Sequence, residues 1–406
     1  MMTPMTLDHD ACYRAVSSRD ARFDGRIFIG VKTTGIYCRP ICPARTPKSQ
    51  NVVFFATAAA AQEAGFRSCL RCRPECSPDL AIWRGTSNTV SRGLALIADG
   101  ALDGDDASVE QLATRLGMGE RQLRRLFQQH LGASPVTVAQ TRRVLFAKQL
   151  IAETTMPLAH VALAAGFGSV RRFNAVFQKL YGRPPGKFRR ADDVGDSALV
   201  LTLPFAPPYD WDAMLGALAA RRDATSETIE KGVWRRKVAL DGATGTVEVA
   251  LSDTVQGALR ATIRFPVVSA LPAIVRRIRR VFDLSADPLA IGKQLSDDPL
   301  LAPLVRKRPG LRVPGPWDDV ADVSDDSVPY DALDPGSGLR AALARVTGKS
   351  TVSVRELRGR AERWRPWRAY ATAHLQAAAR SARPEAQAAP RPGKRAAAAT
   401  RLARAR

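Results

Sequence analysis

Cys38, Cys42, Cys69 and Cys72 fall as C-x3-C followed by C-x2-C, two tight clips separated by 26 residues. Each clip is a short turn that aims both thiolates the same way, so the loop between them must fold back and close four sulfurs round one tetrahedral ion. No histidine lies between the clips, so the donor set is all sulfur and the expected cofactor is a single Zn2+. The clips stand in TTGIYCRPICPAR and GFRSCLRCRP, interleaved with arginine, so the site faces an anionic partner. Six cysteines in 406 residues are too few for a disulfide scaffold and point to metal in a reducing compartment.

The formal net charge of +22 is the footprint of a chain that binds nucleic acid or an anionic membrane surface. No run of 18 apolar residues occurs, which excludes a helical membrane span. The first residues, MMTPMTLDHDACYR, contain no apolar signal core, so the expected location is the cytoplasm.

All six cysteines lie within residues 1–82, a small α/β zinc module. From 83 to 192 the apolar residues recur at helical spacing, and the segment repeats itself. VEQLATRLGMGERQLRRLFQQHLGASP and LAHVALAAGFGSVRRFNAVFQKLYGRPP share one layout: a short apolar helix, a glycine turn, an arginine-rich helix, then Gly-x-x-Pro. This predicts an all-α domain with two helix-turn-helix units. Glu120, Arg121, Gln122, Arg124 and Arg125 open the second helix of the first unit, and Ser169, Arg171, Arg172 and Asn174 that of the second. Those are the positions from which a recognition helix reaches base edges. Leu123, Leu126, Phe127, Val170, Phe173 and Phe177 fall at the spacing of a core stripe.

Residues 198–290 read as an α+β unit: LVLTLP as a strand, WDAMLGALAARR as a helix, VWRRKVAL, GTVEVAL and ALRATIRF as strands, and LPAIVRRIRRVFDL as a helix of about four turns. From 291 to 376 the pattern is helical and loop-rich, and 377–406, dominated by Ala, Arg and Pro, is expected to be disordered. The fold class is therefore multidomain and mainly α with α+β parts.

Four thiolates on one zinc carry a net charge of about −2, which a structural site quenches by burial and by backbone N–H bonds. An under-quenched sulfur stays nucleophilic, because the metal holds it as thiolate at neutral pH. Chemistry of the site alone leaves both a structural zinc knuckle and a reactive thiolate open. DARFDGRIFIGVKTTGIYCRPICPAR and NVVFFATAAAAQEAGFRSCLRCRPE, with all four cysteines, resemble the methyl-accepting domain of the Ada family. The resemblance implies that Cys38 irreversibly accepts a methyl group from a DNA methylphosphotriester, with Cys42, Cys69 and Cys72 as the remaining ligands. Thr34, Arg39, Arg45, Arg67 and Arg71 are the neighbours expected at DNA phosphates. The word ALAAGFGSVRRFNAVF with the following YGRPP resembles AraC-type DNA-binding domains, which together with the Ada resemblance implies a transcription activator of repair genes with duplex DNA and RNA polymerase as partners. No membrane partner is expected, and two readers in one chain remove the usual need for a dimer, so a monomer is expected.

LTLPFAPPYDWDAMLGALAAR, VWRRKVAL, IRRVFDLSADPLAI, DPLLAPLVRKRPGLRVPGPWD and RAERWRPWRAYATAHL resemble AlkA-type 3-methyladenine DNA glycosylases. Fewer than fifty residues separate Trp317 from Trp364, where that family places a helical bundle, a Gly-rich hairpin and a catalytic aspartate. The resemblance thus implies an α+β N-terminal subdomain followed by an incomplete helical remnant with apolar surface left uncovered. Little or no base excision is expected. Asp326, Asp331 and Asp334 read as solvated acids. A bifunctional protein with a working glycosylase, and a zinc-braced regulator without methyl transfer, are the competing readings.

Overall fold

A computed structural model describes residues 7–78, 88–98, 100–104, 107–189, 198–221, 223–318 and 331–381. The zinc module opens with α1 (His9–Ser17), whose first turn is capped by the Asp8 carboxylate, and follows it with a four-stranded sheet. Its strands are β1 (Phe28–Val31), β2 (Ile36–Cys38), β3 (Val52–Phe55) and β4 (Arg67–Ser68), in the order β3-β1-β2-β4, with only β2 and β4 parallel. A short helix, α2 (Ala58–Glu63), packs its Ala59–Ala61 face inward between β3 and β4. Pairing β2 with β4 brings the ends of both strands side by side, and each strand runs straight into a cysteine clip.

The reading domain consists of α3 (Asn88–Ala98), α4 (Val109–Arg115), α5 (Glu120–Leu131), α6 (Pro135–Glu153), α7 (Leu158–Ala164) and α8 (Val170–Tyr181). Pairs α4/α5 and α7/α8 are the two expected helix-turn-helix units, and the 19-residue α6 joins them. Ser108 and Gln111 form a capping box on α4, and the Ser169 hydroxyl accepts the Arg172 N–H at the start of α8. Both arginine-rich helices end on a left-handed glycine, Gly132 at φ 69° and Gly182 at φ 67°, a conformation that costs a residue with a Cβ. Leu123 and Phe127 are fully buried in one core, against which Leu126 is half-buried, and Phe173 and Phe177 are fully buried in another, each of the four contributing about 2–3 kcal/mol of transfer free energy.

Val170 departs from the expected stripe: it is 41% exposed. It lies one turn before Phe173, where α8 emerges from the bundle, and the equivalent place in the first unit is held by the polar Glu120.

The α+β unit carries β5 (Leu199–Pro204), α9 (Trp211–Arg221), β6 (Glu227–Glu230), β7 (Val233–Leu240), β8 (Ala243–Leu251), β9 (Ala258–Arg264) and α10 (Leu271–Val281). The sheet is antiparallel throughout, ordered β5-β9-β8-β7-β6. Strand β6 was not legible, because its ETIE stretch is half charged. Helix α10 stops at Val281, three residues short of expectation, since Asp283 adopts a φ of +50°. One hydrophobic core runs from α6, α7 and α8 into this sheet and α10, from Val144 to Leu284, and Trp317 closes it.

A second core begins at Ala286 and belongs to α11 (Pro288–Leu295), α12 (Ala302–Lys307), α13 (Ser337–Thr347), α14 (Val354–Ala361) and α15 (Arg368–Ser381). This corrects the expected uncovered surface: Leu339, Leu343, Leu357, Trp364, Tyr370 and Leu375 close on one another. Among the described residues of this unit, only Leu289 and Val354 are exposed large apolar side chains. Asp331 is also not solvated, being held by Arg365 and Arg368 at 2.5 and 2.8 Å. Asp334 is exposed as expected, and Asp326 lies outside the described residues. Helix α15 continues through Ser381 with Ala379 buried, so the first five residues of the expected disordered tail are helical. The rest of that tail lies outside the described residues.

Candidate metal centre and nucleic-acid interface

Cys38 closes β2, and Cys42 follows in a turn whose N–H is held by the Arg39 carbonyl at 3.1 Å. The Cys69 N–H donates to the Tyr37 carbonyl at 2.9 Å, extending the β2–β4 pairing by one residue. The four Sγ atoms consequently lie within 4.8 Å of one another. Zinc–sulfur bonds of about 2.3 Å in a tetrahedron need sulfurs just under about 4 Å apart, so the cage fits the ion with small adjustment. Cys38 and Cys42 are half-buried, while Cys69 and Cys72 are buried. Cys42, ahead of Cys69 and Cys72, pushes Cys38 well above the ordinary thiol range, whereas bonding from Cys38 first and then the others pulls Cys69 far below it.

Backbone donors are distributed unequally over the sulfurs. The Arg39 N–H reaches Cys72 at 3.3 Å and the Arg71 N–H reaches Cys69 at 3.4 Å. Among the described residues no backbone donor reaches Cys38 or Cys42. Cys12 sits in the α1 core, and burial pushes the Cys76 thiol up to about 11; neither joins the cage.

Of the five residues expected at phosphates, Thr34, Arg45 and Arg71 are exposed and Arg67 is half-buried. Arg39 is different. Its guanidinium is turned inward, 13% exposed, where Nε and Nη2 bond the buried Asp24 carboxylate and Nη1 donates to the Cys72 carbonyl at 3.2 Å. Ser77 completes the carboxylate at 3.1 Å. In the reading domain Arg121, Gln122, Arg124, Arg125, Arg171, Arg172 and Asn174 are all exposed on the opening turns of α5 and α8. Glu120 pairs with Arg124 at 2.5 Å, and Ser169 serves as the cap of α8.

Asp24, Ser68, Arg73, Glu75, Lys148 and Glu153 were missed by sequence reasoning. One signal existed: Lys148 falls on the apolar stripe Val144, Ala147, Ile151, and a charge there is 3% exposed.

Comparison with known proteins gives three consecutive domain matches. They are the metal binding domain of Ada over residues 11–75, a helix-turn-helix domain over 112–191 and the AlkA N-terminal domain over 200–318. A relative from Mycobacterium tuberculosis, a probable bifunctional transcriptional activator/DNA repair enzyme AlkA, is 41% identical over 319 residues, which are 77% of this chain and 63% of the relative. In these matched segments the chain resembles a fusion of an Ada-type part with an AlkA-type part. The Escherichia coli bifunctional transcriptional activator/DNA repair enzyme Ada is 30% identical over 46% of this chain and 51% of its own length. The refined structure of the DNA methyl phosphotriester repair domain of E. coli Ada is 44% identical, covering 18% of this chain and 80% of that one, with a TM-score of 0.17. The chain thus spans less than two thirds of the length of these curated relatives. With the Ada metal-binding match and the all-sulfur donor set together, the ion of this centre is zinc. No described helix of the chain is long and apolar enough to cross a membrane.

Proposed function

We propose that the chain senses and repairs DNA alkylation: Cys38 irreversibly takes a methyl group from a methylphosphotriester in duplex DNA, and the methylated protein then activates repair genes through its two helix-turn-helix units. The observation that carries this reading is the unequal sharing of donors over the sulfurs. Backbone N–H groups draw charge from Cys72 and Cys69, while Cys38 and Cys42, the two less buried cysteines, accept no backbone hydrogen bond among the described residues and keep theirs. When bound, zinc keeps the sulfurs deprotonated at neutral pH, so no general base is required. Cys38 Sγ attacks the methyl carbon as the carbon–oxygen bond breaks, and the oxygen leaves with the electron pair as a phosphodiester anion.

The resulting thioether carries one negative charge fewer. At roughly 5 Å from a phosphate that removes a repulsion of about 1–3 kcal/mol, depending on local screening, or about 5–150-fold in affinity. Thr34, Arg45, Arg67 and Arg71 support phosphate binding, and Arg121, Gln122, Arg125, Arg171, Arg172 and Asn174 support groove contacts. Arg39, turned onto Asp24, supports the cage instead. Two readers in one chain let a monomer address successive major-groove segments, in the cytoplasm and with RNA polymerase receiving the signal.

The test is peptide mass mapping of the zinc-loaded protein after incubation with methylphosphotriester-bearing duplex DNA, followed by salt titration of DNA binding. One methyl on Cys38 and tighter binding are expected. An unmodified set of four cysteines with zinc fully bound would leave a zinc-braced DNA-binding regulator.

A further inference from the structure

Side chains of the zinc module grip the frame that holds both recognition helices of the reading domain. At α5, the Thr57 hydroxyl donates to the Leu131 carbonyl at 2.9 Å. At the start of α6, Ser134 donates through N and Oγ to Glu63, each at 3.4 Å. At the end of α8, the Ser68 and Tyr181 hydroxyls meet at 2.7 Å. The far end of α6 is held most firmly. Lys148, 3% exposed, donates to Ser68 Oγ at 2.9 Å and to Glu75 Oε2 at 2.8 Å, while Arg73 bonds Glu153 at 3.1 Å.

Ser68 immediately precedes Cys69, and Arg73 immediately follows Cys72. The second clip is therefore pinned at both ends by side chains of the DNA-reading domain. Groups that hold metal ligands from outside the coordination sphere set ligand orientation and affinity. A shift of α6 when α5 and α8 seat on a duplex must move Lys148 and Glu153, and with them the ends of this clip.

We propose that the reading domain completes the zinc site, with Lys148 as the positioning residue for the Cys69–Cys72 clip, so that DNA bound by the readers tightens the hold on zinc. By linkage, the state of the zinc site reaches α5 and α8 through the same contacts. This is a mechanical route beside the loss of charge at Cys38. It rests on the zinc-loaded, DNA-reading half of the function proposed above and not on methyl transfer.

The experiment follows zinc transfer from the full-length protein to a colour-forming chelator, with and without a random-sequence duplex at low salt, binding of the duplex being verified by anisotropy. DNA should slow release from the wild type by at least about fivefold. Lys148→Met should release zinc about 10–100-fold faster and lose the protection by DNA. Tyr181→Phe, which removes one hydroxyl contact, and Glu153→Gln, which weakens the ion pair with Arg73 at some cost in melting temperature, both keep the buried Lys148–Glu75 pair, should still fold cooperatively and should lose part of the protection. They decide the matter where Lys148→Met fails to fold. Release from the wild type that ignores bound DNA would overturn the proposal, as would wild-type rates and DNA dependence in the folded variants. Protection by DNA in a protein that takes up no methyl would sink the methyl-transfer reading and leave this one standing.

Discussion

Replacing Asp24 by Asn isolates the support behind the metal cage. The carboxylate is 7% exposed and accepts three bonds, two from Arg39 and one from Ser77. Asn keeps the shape but loses the charge and turns one acceptor into a donor facing a guanidinium. Removing one partner of a buried ion pair costs about 3–5 kcal/mol. The Arg39 side chain keeps 13% exposure and its bond to the Cys72 carbonyl, so the lower end, about 3 kcal/mol, applies. For a unit of this size such a loss lowers the melting temperature by on the order of 10 °C. Because the Arg39 N–H also serves Cys72 Sγ, zinc release should accelerate in parallel. Thermal melts of zinc-loaded D24N against wild type, with chelator-monitored release, read both effects. A melting point within a degree or two of wild type and unchanged zinc release would show that Arg39 is not held by Asp24, and would return its guanidinium to the pool of phosphate contacts.

Two further outcomes are expected. Phe173→Ala should destabilise by about 3–5 kcal/mol in urea melts, whereas Val170→Ala, three residues earlier on the same stripe but exposed, should stay within about 0.5 kcal/mol. His374 is pushed down from 6.5 to about 4, first by burial and then by Arg308, so its native state resists protonation. Stability is therefore full above about pH 6.5 and falls as pH drops toward 4, by about 3 kcal/mol in all. Urea melts followed by Trp364 and Trp367 fluorescence should show this slope, and His374→Gln should flatten it.

The parts of the chain legible in sequence were those where spacing alone forces geometry. The cysteine clips bring Cys38, Cys42, Cys69 and Cys72 together because a tetrahedral ion admits few alternatives, and the repeated Gly-x-x-Pro words mark both recognition helices because only glycine ends them cheaply. What failed were judgements about which way a side chain turns. Arg39 looked like its arginine neighbours, yet Asp24, fifteen residues upstream, draws it inside; nothing local distinguishes it. Val170 fits the periodicity of a core stripe that in fact begins one turn later, at Phe173. Asp331 sits in an acidic run but meets Arg365 and Arg368 from a segment over thirty residues away. Closure of the second core could not be read because it depends on how Leu339, Leu357, Trp364 and Leu375 repack without the helices that the resemblance led one to expect.

The apolar interior shared by the second reader and the AlkA-like sheet bears on how such a gene can change. Gln149 and Glu153 of α6 bond the backbone of Thr202 at 2.7 and 3.0 Å, stitching the two across that interior. A mutation that stops translation just ahead of β5 would strip the lining from α6 and α7 and leave the reader with a greasy scar. Selection for transcription alone would then conserve the AlkA-like segment, whether or not it ever touches a damaged base. Once two genes have fused through a common interior, the loss of one activity no longer frees its half of the sequence to drift away.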